Sequence, residues 1–483
     1  MKVIKKYIDK YNKMSQQAKA GIWFIFCSFF QKGIAFITIP LFTRLLTTEE
    51  YGITNLFSTW STILMLFATL SLYGDVYSRG LLEFNEKKFT SSIQGLATTS
   101  TIIVTAIVLI FNDFISDISG LSKPIIFLMC IYFFAITGIN LWTVKQRFYY
   151  RYKALIITTV INTILSTSLG IIAILLSTEN KGEAKVIWST IGLIAVALPF
   201  YIYNFRNGKK YFNKKIWKFS LSFNLPLLPH YLSNLILHQS DRVMINWFKG
   251  ASDVAYYSVA YSIASIVLIL TDTINQTLTP WRFQNMKKHN YSRINKISLS
   301  ILALVAGLII LINLMAPEII QLFGGATYAE AVWVIPPVIL SVFFIFLYGM
   351  FSNIEFYYLK TKFMMVASVF SAALNIALNY IYINKYGYIA CAYTTLFCYI
   401  IYTLCHYLYM RHILKKKIGR PTIFNTKLIF LLALITCILT AISAILYNLN
   451  AVRYILVLII MIIAIVNRKT ITSLFKLKTN ESK

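Results

Sequence analysis

The sequence predicts an all-α polytopic membrane protein: two six-helix bundles related as parallel repeats around a central cavity, plus two C-terminal helices, about 14 transmembrane helices in all. Three observations predict it. The 483 residues are 58% hydrophobic and 13% charged, with a mean hydropathy of +0.67, whereas soluble domains are about half apolar and about a quarter charged. Apolar runs recur along the whole chain at the roughly 20-residue length that a bilayer-crossing helix needs. The basic residues fall on alternate connections between those runs.

The first run, 20–43, carries a single charge, Lys32. It follows the basic stretch "MKVIKKYIDKYNKMSQQAK", but it is too long for a signal-peptide core and no A-x-A-like site follows, so it reads as a retained helix. Runs free of Asp, Glu, Lys and Arg come next at 51–74, 89–112, 124–144, 154–178, 186–205 and 219–240. The eighth, 254–281, is interrupted by Asp272, and 297–317, 331–354, 363–384 and 386–410 are again uncharged. Two final runs cover 428–452 and 454–466, the last of them short. Pro226 and Pro229 should interrupt the seventh helix, and Pro336–Pro337 the tenth. The six cysteines lie in apolar runs with no C-x-x-C pair, which makes them packing residues and not metal ligands.

A net charge of +29 invites a nucleic-acid partner, yet the placement of the charge argues against one. With both termini on one side, 37 of the 46 Lys and Arg lie on that side and 8 on the other, Lys32 being inside a span. The positive-inside rule therefore puts both termini in the cytoplasm of a multi-pass cell-membrane protein. Runs such as "RNGKKYFNKKIWK" (206–218) and "KKKIGR" (415–420) suit anionic lipid headgroups.

The organisation follows: a basic tail (1–19), a six-helix bundle (20–205), a basic linker (206–218), a second six-helix bundle (219–410), a basic loop (411–427), helices 13 and 14 (428–467) and a tail (468–483). Sliding the chain by 203 residues sets "FTRLLTTEEYGITNLFSTWSTIL" (42–64) on "INWFKGASDVAYYSVAYSIASIV" (245–267), with Glu50 on Asp253. Six spans per half make the halves parallel repeats. No long extramembrane segment or P-loop is present, which disfavours a membrane glycan polymerase or an ATPase. The acids of "NDFISD" (112–117) read as solvated loop residues.

Ionisable residues within apolar spans are expensive and normally face a bundle interior or a wet cavity. Lys32, His230, Asp241, Arg242, Asp272 and Glu355 are the candidates. Asp241 and Arg242 end a charge-free stretch; neighbours in sequence do not face each other on a helix, so each needs a partner elsewhere, and Arg44 is the expected partner of Asp241.

The stretches "GIAFITIPLFTRLLTTEEYGITNLFSTW" (33–60), "LSNLILHQSDRVMINWFKGASDVAYYSVAYSI" (232–263) and "INQTLTPWRFQNM" (274–286) resemble polysaccharide flippases of the multidrug/oligosaccharidyl-lipid/polysaccharide exporter superfamily. The resemblance covers nearly the whole chain. It implies translocation, without enzymatic chemistry, of an undecaprenyl-diphosphate-linked oligosaccharide for capsule, exopolysaccharide or O-antigen synthesis, with a polysaccharide polymerase and assembly proteins as candidate partners. On that reading Lys32, Arg44, Arg79, Arg242 and His230 bind the diphosphate, since charge-assisted donors suit phosphate. Asp241, Asp272 and Glu355 act in gating or ion pairs, and Tyr256, Tyr257 and Tyr261 stack on sugar rings. No cofactor is expected; coupling to Na⁺ or H⁺ stays open. A lipid II flippase or a cation-coupled drug exporter of the same superfamily are the alternatives.

Overall fold

Inside a bilayer no water satisfies the backbone, so a spanning chain must pair its own amides, and an α-helix does so within one segment. The computed structural model describes residue 11, residues 14–360 and residues 362–468. Most of the basic N-terminal tail and nearly all of the C-terminal tail predicted above lie outside the described residues. Among the described residues the chain is almost wholly helical: α1 (Gln16–Leu45), α2 (Thr48–Thr69), α3 (Asp75–Glu83), α4 (Glu86–Ile110), α5 (Asn112–Ser119), α6 (Lys123–Phe148), α7 (Tyr152–Leu176), α8 (Lys181–Gly208), α9 (Lys214–Asn224), α10 (Leu228–Lys249), α11 (Ala251–Lys287), α12 (Tyr291–Leu314), α13 (Ala316–Gly324), α14 (Ile335–Tyr357), α15 (Lys362–Tyr386), α16 (Tyr388–Ile418), α17 (Thr426–Ile445) and α18 (Asn450–Val466).

Eleven helical segments among these residues are long and apolar enough to cross a membrane. The other three expected spans are helical but depart from that standard for local reasons. α2 is rich in Thr, Ser and Asn and starts with two glutamates. The seventh is broken into α9, a 3₁₀ turn at Leu225–Leu227 and α10, where Pro226 and Pro229 remove backbone donors. α18 is short. Pro336–Pro337 does not break the tenth helix as expected: both prolines occupy the first turn of α14, where the missing N–H has no intrahelical acceptor, and they mark its start. The acidic "NDFISD" stretch is likewise not a loop but most of the short helix α5.

Contacts divide the chain into two compact units, Met1–Leu235 with Gly250–Ala255, and Ile236–Lys249 with Tyr256–Lys483. In the first unit α8 packs on α4, α6 and α7, and α1 on α7. Polar side chains fasten the seams: Gln94 Nε2 donates to the Tyr201 carbonyl at 2.8 Å, and Asn204 Nδ2 donates to Gln94 Oε1 at 2.8 Å. Glu50 joins two helix starts. Its Oε2 accepts from the Thr47 N–H (2.9 Å) in a capping box, and its Oε1 accepts from the Lys181 N–H (2.7 Å) at the beginning of α8. Beside it, Thr48 Oγ1 donates to Ser252 Oγ at 3.2 Å, and Gly52 lies against the Ala251 carbonyl with no room for a side chain.

In the second unit α16 packs on α14 and α15, and α12 on α14 and α17. Arg453 of α18, 1% exposed, holds the last hairpin down: Nη1 and Nη2 donate to both oxygens of Glu318 at 2.8 and 2.7 Å, and Nη1 also donates to the Leu314 carbonyl at 2.6 Å. Paired donors of this kind are stronger than single ones. The cysteines are free thiols, Cys27, Cys130, Cys391 and Cys398 buried and Cys405 and Cys437 half-buried.

Two outcomes follow from these contacts. Gly52→Ala drives a methyl group into the Ala251 carbonyl and is expected to destabilise the first unit by about 1–3 kcal/mol, read as a lowered unfolding temperature in detergent. Hydrogen bonds from Arg453 hold the Glu318 carboxyl below the usual glutamate range, against partial burial. A carboxyl depressed in the folded state contributes stability above its unfolded value of about 4.3, lost as pH falls through the folded one. Glu318→Gln is therefore expected to lower the unfolding temperature at pH 7, with the difference from the unsubstituted protein shrinking below about pH 4.

Candidate functional site

Asp241 lies in the second half of α10, the part of that helix that belongs to the second unit. It is 1% exposed. Asn379 Nδ2 donates to Oδ1 at 2.7 Å, while Thr395 Oγ1 (2.8 Å) and Tyr257 Oη donate to Oδ2. These partners come from α15, α16 and α11, so four helices meet at one carboxylate. Asn375 extends the network: its Oδ1 accepts from Ser240 Oγ at 2.9 Å and Asn379 Nδ2 at 3.3 Å, and its Nδ2 donates to Thr395 Oγ1 at 3.0 Å. Thr394 Oγ1 donates to Asn379 Oδ1. The carboxylate thus has neutral donors from its own unit where an arginine was expected.

Arg242, one residue on, points about 100° away around the helix and makes a separate set of contacts. Its Nε donates to Ser258 Oγ at 3.0 Å, and its Nη1 to the His238 carbonyl and Gln239 Oε1, both at 3.2 Å. The guanidinium lies over the Tyr261 ring, 4.6 Å from its centroid. The Tyr261 hydroxyl meets His238 Nδ1 at 3.2 Å, with the Tyr399 hydroxyl at 3.5 Å from the same nitrogen. A narrow cavity with room for about one water lies beside them, lined in part by Tyr261, Ser265, Ser341, Thr395 and Tyr399. Thr395 therefore touches both the cavity and Asp241.

A second buried pair stands on α14 and α16. Glu355 and His406 are both fully buried, with Oε1 and Nδ1 2.7 Å apart. Tyr348 stacks on the imidazole, and Tyr402 and Phe363 meet it edge-on. Glu355 Oε2 and His406 Nε2 have no partner among the described residues.

The remaining candidates are scattered. Lys32 is exposed midway along the apolar span Lys19–Leu45 and has no carboxylate within ion-pair distance among the described residues. It shares a helix face with Ile39 and Thr43, which are buried. Arg44 is exposed, and its Nη1 donates to the Pro40 carbonyl at 3.0 Å. Arg79 is on the separate short helix α3, where its Nε pairs with Glu83 at 2.9 Å on the surface. His230 Nε2 meets Asn234 Nδ2 at 3.1 Å, and Asp272 is exposed on α11. Of the three tyrosines proposed for sugar stacking, Tyr257 is fully buried with its hydroxyl on Asp241, and Tyr256 already stacks on Tyr388, with centroids 5.6 Å apart. Tyr257 has no free face to offer a sugar.

Sequence reading missed His238, Asn375, Asn379, Thr395 and His406. Part of the signal was visible: Asn375 and Asn379, four residues apart in "ALNIALNY", share one face of an apolar helix. Among the described residues no group of three or more His, Cys, Asp or Glu side chains is placed to hold a metal ion. The groups that hydrogen-bond Asp241 directly are an amide and two hydroxyls, whose oxygens with the carboxylate suit a proton or a hard cation.

Several proteins share this architecture. The lipid II flippase MurJ in an inward closed conformation superposes with a TM-score of 0.68 at 19% identity, covering 93% of this chain and 100% of that one. An inward-facing multidrug resistance MATE family transporter of the MOP superfamily superposes with a TM-score of 0.54 at 15% identity, covering 80% and 99%. Two Haemophilus influenzae proteins are similar in sequence. Protein 1 of the Lsg locus is 22% identical over 363 residues, 72% of this chain and 86% of that one. An uncharacterized membrane protein is 25% identical over 358 residues, 70% and 84%. Residues 226–381 match the MatE family. Residues 18–286, more than half of the chain, match the family described as polysaccharide biosynthesis protein, and the chain is a member of that family with the fold of MOP-superfamily transporters and flippases.

Proposed function

We propose that the protein translocates undecaprenyl-diphosphate-linked oligosaccharide units from the cytoplasmic to the outer leaflet of the cell membrane by alternating access, for the synthesis of a surface polysaccharide. Both termini are then cytoplasmic, as the distribution of basic residues supports. The observation that carries the reading is the separation of charge within the spans. Arg242 and Asp241 are adjacent yet form no ion pair among the described residues, each hydrogen-bonding to neutral groups, and Lys32 has no carboxylate partner there. Unneutralised cations in a membrane protein suit an anionic headgroup, and family membership supports a glycan attached to it. A buried carboxylate held by neutral donors supports, in the same way, uptake of Na⁺ or H⁺ at Asp241, with Asn375, Asn379 and Thr395 as further oxygen ligands for the ion.

The test is reconstitution in vesicles with fluorescent undecaprenyl-diphosphate oligosaccharide, lipid II and a cationic dye as parallel cargoes. Movement of the first is expected. Preferential movement of lipid II or of the dye would replace this reading with the corresponding relative, and chain growth of the glycan would replace it with a polymerase. Lys32→Ala, at an unchanged level in the membrane, is expected to slow translocation at least tenfold; full activity in this variant would remove Lys32 from the path. Asp241→Asn, close to isosteric, is expected to preserve the fold while abolishing the response of transport to an imposed sodium or proton gradient. An unaltered gradient response would place coupling elsewhere.

A further inference from the structure

Arg282, in "TPWRFQNM", sits five residues before the end of α11 and is fully buried, 0% exposed. A guanidinium has five N–H donors and cannot shed its charge in a protein. Among the described residues its acceptor is Asn275 Oδ1, 3.4 Å from Nη1, a long contact. Among the described residues neither Nε nor Nη2 has an acceptor, and no carboxylate lies within ion-pair distance. The two unsatisfied nitrogens form one edge of the planar fork, the edge that takes two oxygens of a phosphate or carboxylate side by side.

The surroundings fit an anchoring role better than a packing one. The side chain runs back along α11 toward Asn275, two turns earlier, as long helical side chains do. At that level α11 lies close to α14: a side chain at Gly349 would meet Asn275 Nδ2 at 2.9 Å, and Thr279 Oγ1 donates to Asn353 Oδ1 at 3.0 Å. In this polar seam the oxygens of Asn353 and Asn275 accept from Thr279 and Arg282, and these neutral groups give the cation no counter-charge. A buried charge with no partner is strongly destabilising, so its retention points to a state in which an anion arrives. α11 has 37 residues and is about 55 Å long, against a hydrocarbon thickness of about 30 Å, which puts its Arg282 end near the headgroup level of one leaflet. Pro280, two residues earlier, removes a backbone donor and allows the helix to bend there.

We propose that Arg282 is the phosphate-binding group of the second unit, taking two oxygens of the lipid-linked diphosphate on its Nε–Nη2 edge. This rests on the reading that the cargo is a lipid diphosphate. The seam between α11 and α14 supplies that cation with neutral groups alone, and the headgroup supplies the counter-charge.

The experiment pairs stability with binding for the full chain in lipid nanodiscs, using undecaprenyl diphosphate, undecaprenol, inorganic diphosphate and phosphatidylglycerol as probes. Arg282→Met is expected to raise the unfolding temperature without ligand, because an apolar side chain of similar length replaces an unpaired charge. It is also expected to weaken undecaprenyl diphosphate binding at least tenfold, with Arg282→Lys intermediate because it keeps charge but loses the fork. Undecaprenol, lacking the anion, should bind equally to all three proteins. A lowered unfolding temperature with unchanged binding would make Arg282 a structural residue and overturn the proposal. Equal competition by phosphatidylglycerol would assign the site to bilayer lipid and overturn it too, whereas competition by inorganic diphosphate alone would support the headgroup contact. Failure of the unsubstituted protein to bind undecaprenyl diphosphate would defeat the lipid-diphosphate reading itself, an outcome distinct from intact binding that survives Arg282→Met.

Discussion

The carboxylate of Asp241, enclosed by four helices with no ion-pair partner among the described residues, is the constraint around which the second unit is arranged. Burying such a group is affordable only if both its oxygens find donors, and the donors have to come from different helices because a helix uses its own amides internally. Tyr257, Asn379 and Thr395 supply them, and Asn375 orients two of the three. α10, α11, α15 and α16 are thereby fixed in register at one depth. The apolar surfaces around them supply contact but little discrimination, since lipid is as apolar as leucine. Polar bonds decide which helices meet.

The same network explains why Asp241 and Arg242 can be neighbours without cancelling. Successive residues on a helix diverge by about 100°, so one faces the amides of α15 while the other lies over Tyr261. His238, Tyr261 and Tyr399 form a polar strip on the arginine side, and the small cavity at Thr395 brings that strip to the edge of the carboxylate network. An ion reaching Asp241 would have to displace neutral donors, so occupancy and helix packing are linked: what binds there changes the bonds that hold α15 and α16 to α10.

In the first unit the corresponding organiser is Glu50, which caps its own helix and accepts from the first amide of α8. Asp253, which the 203-residue sequence offset sets on Glu50, likewise stands in the first turn of its helix, α11, where the helix dipole favours an acid. Arg453 and Glu318 perform a comparable task for the C-terminal hairpin. These tethers sit at helix ends, where water and the lost backbone pairings make ionic groups tolerable.

The sequence by itself determined the membrane class, the all-helical fold, the order of its long apolar helices and the break at Pro226 and Pro229, because these depend on local apolar length and on a missing backbone donor. It also singled out Lys32, Asp241, Arg242 and Glu355, since a charge in an apolar run is conspicuous whatever surrounds it. Tertiary structure alone decided their partners. His406, 51 residues from Glu355, and Asn379, 138 residues from Asp241, look like ordinary polar residues in apolar helices until packing brings them within hydrogen-bond distance. Arg282 reads in the sequence as a basic residue at the end of an apolar run, and only the packed fold buries it. Helix formation is written in near neighbours, whereas the partners of a buried charge depend on which distant faces share a seam, and one chain read alone carries no record of that.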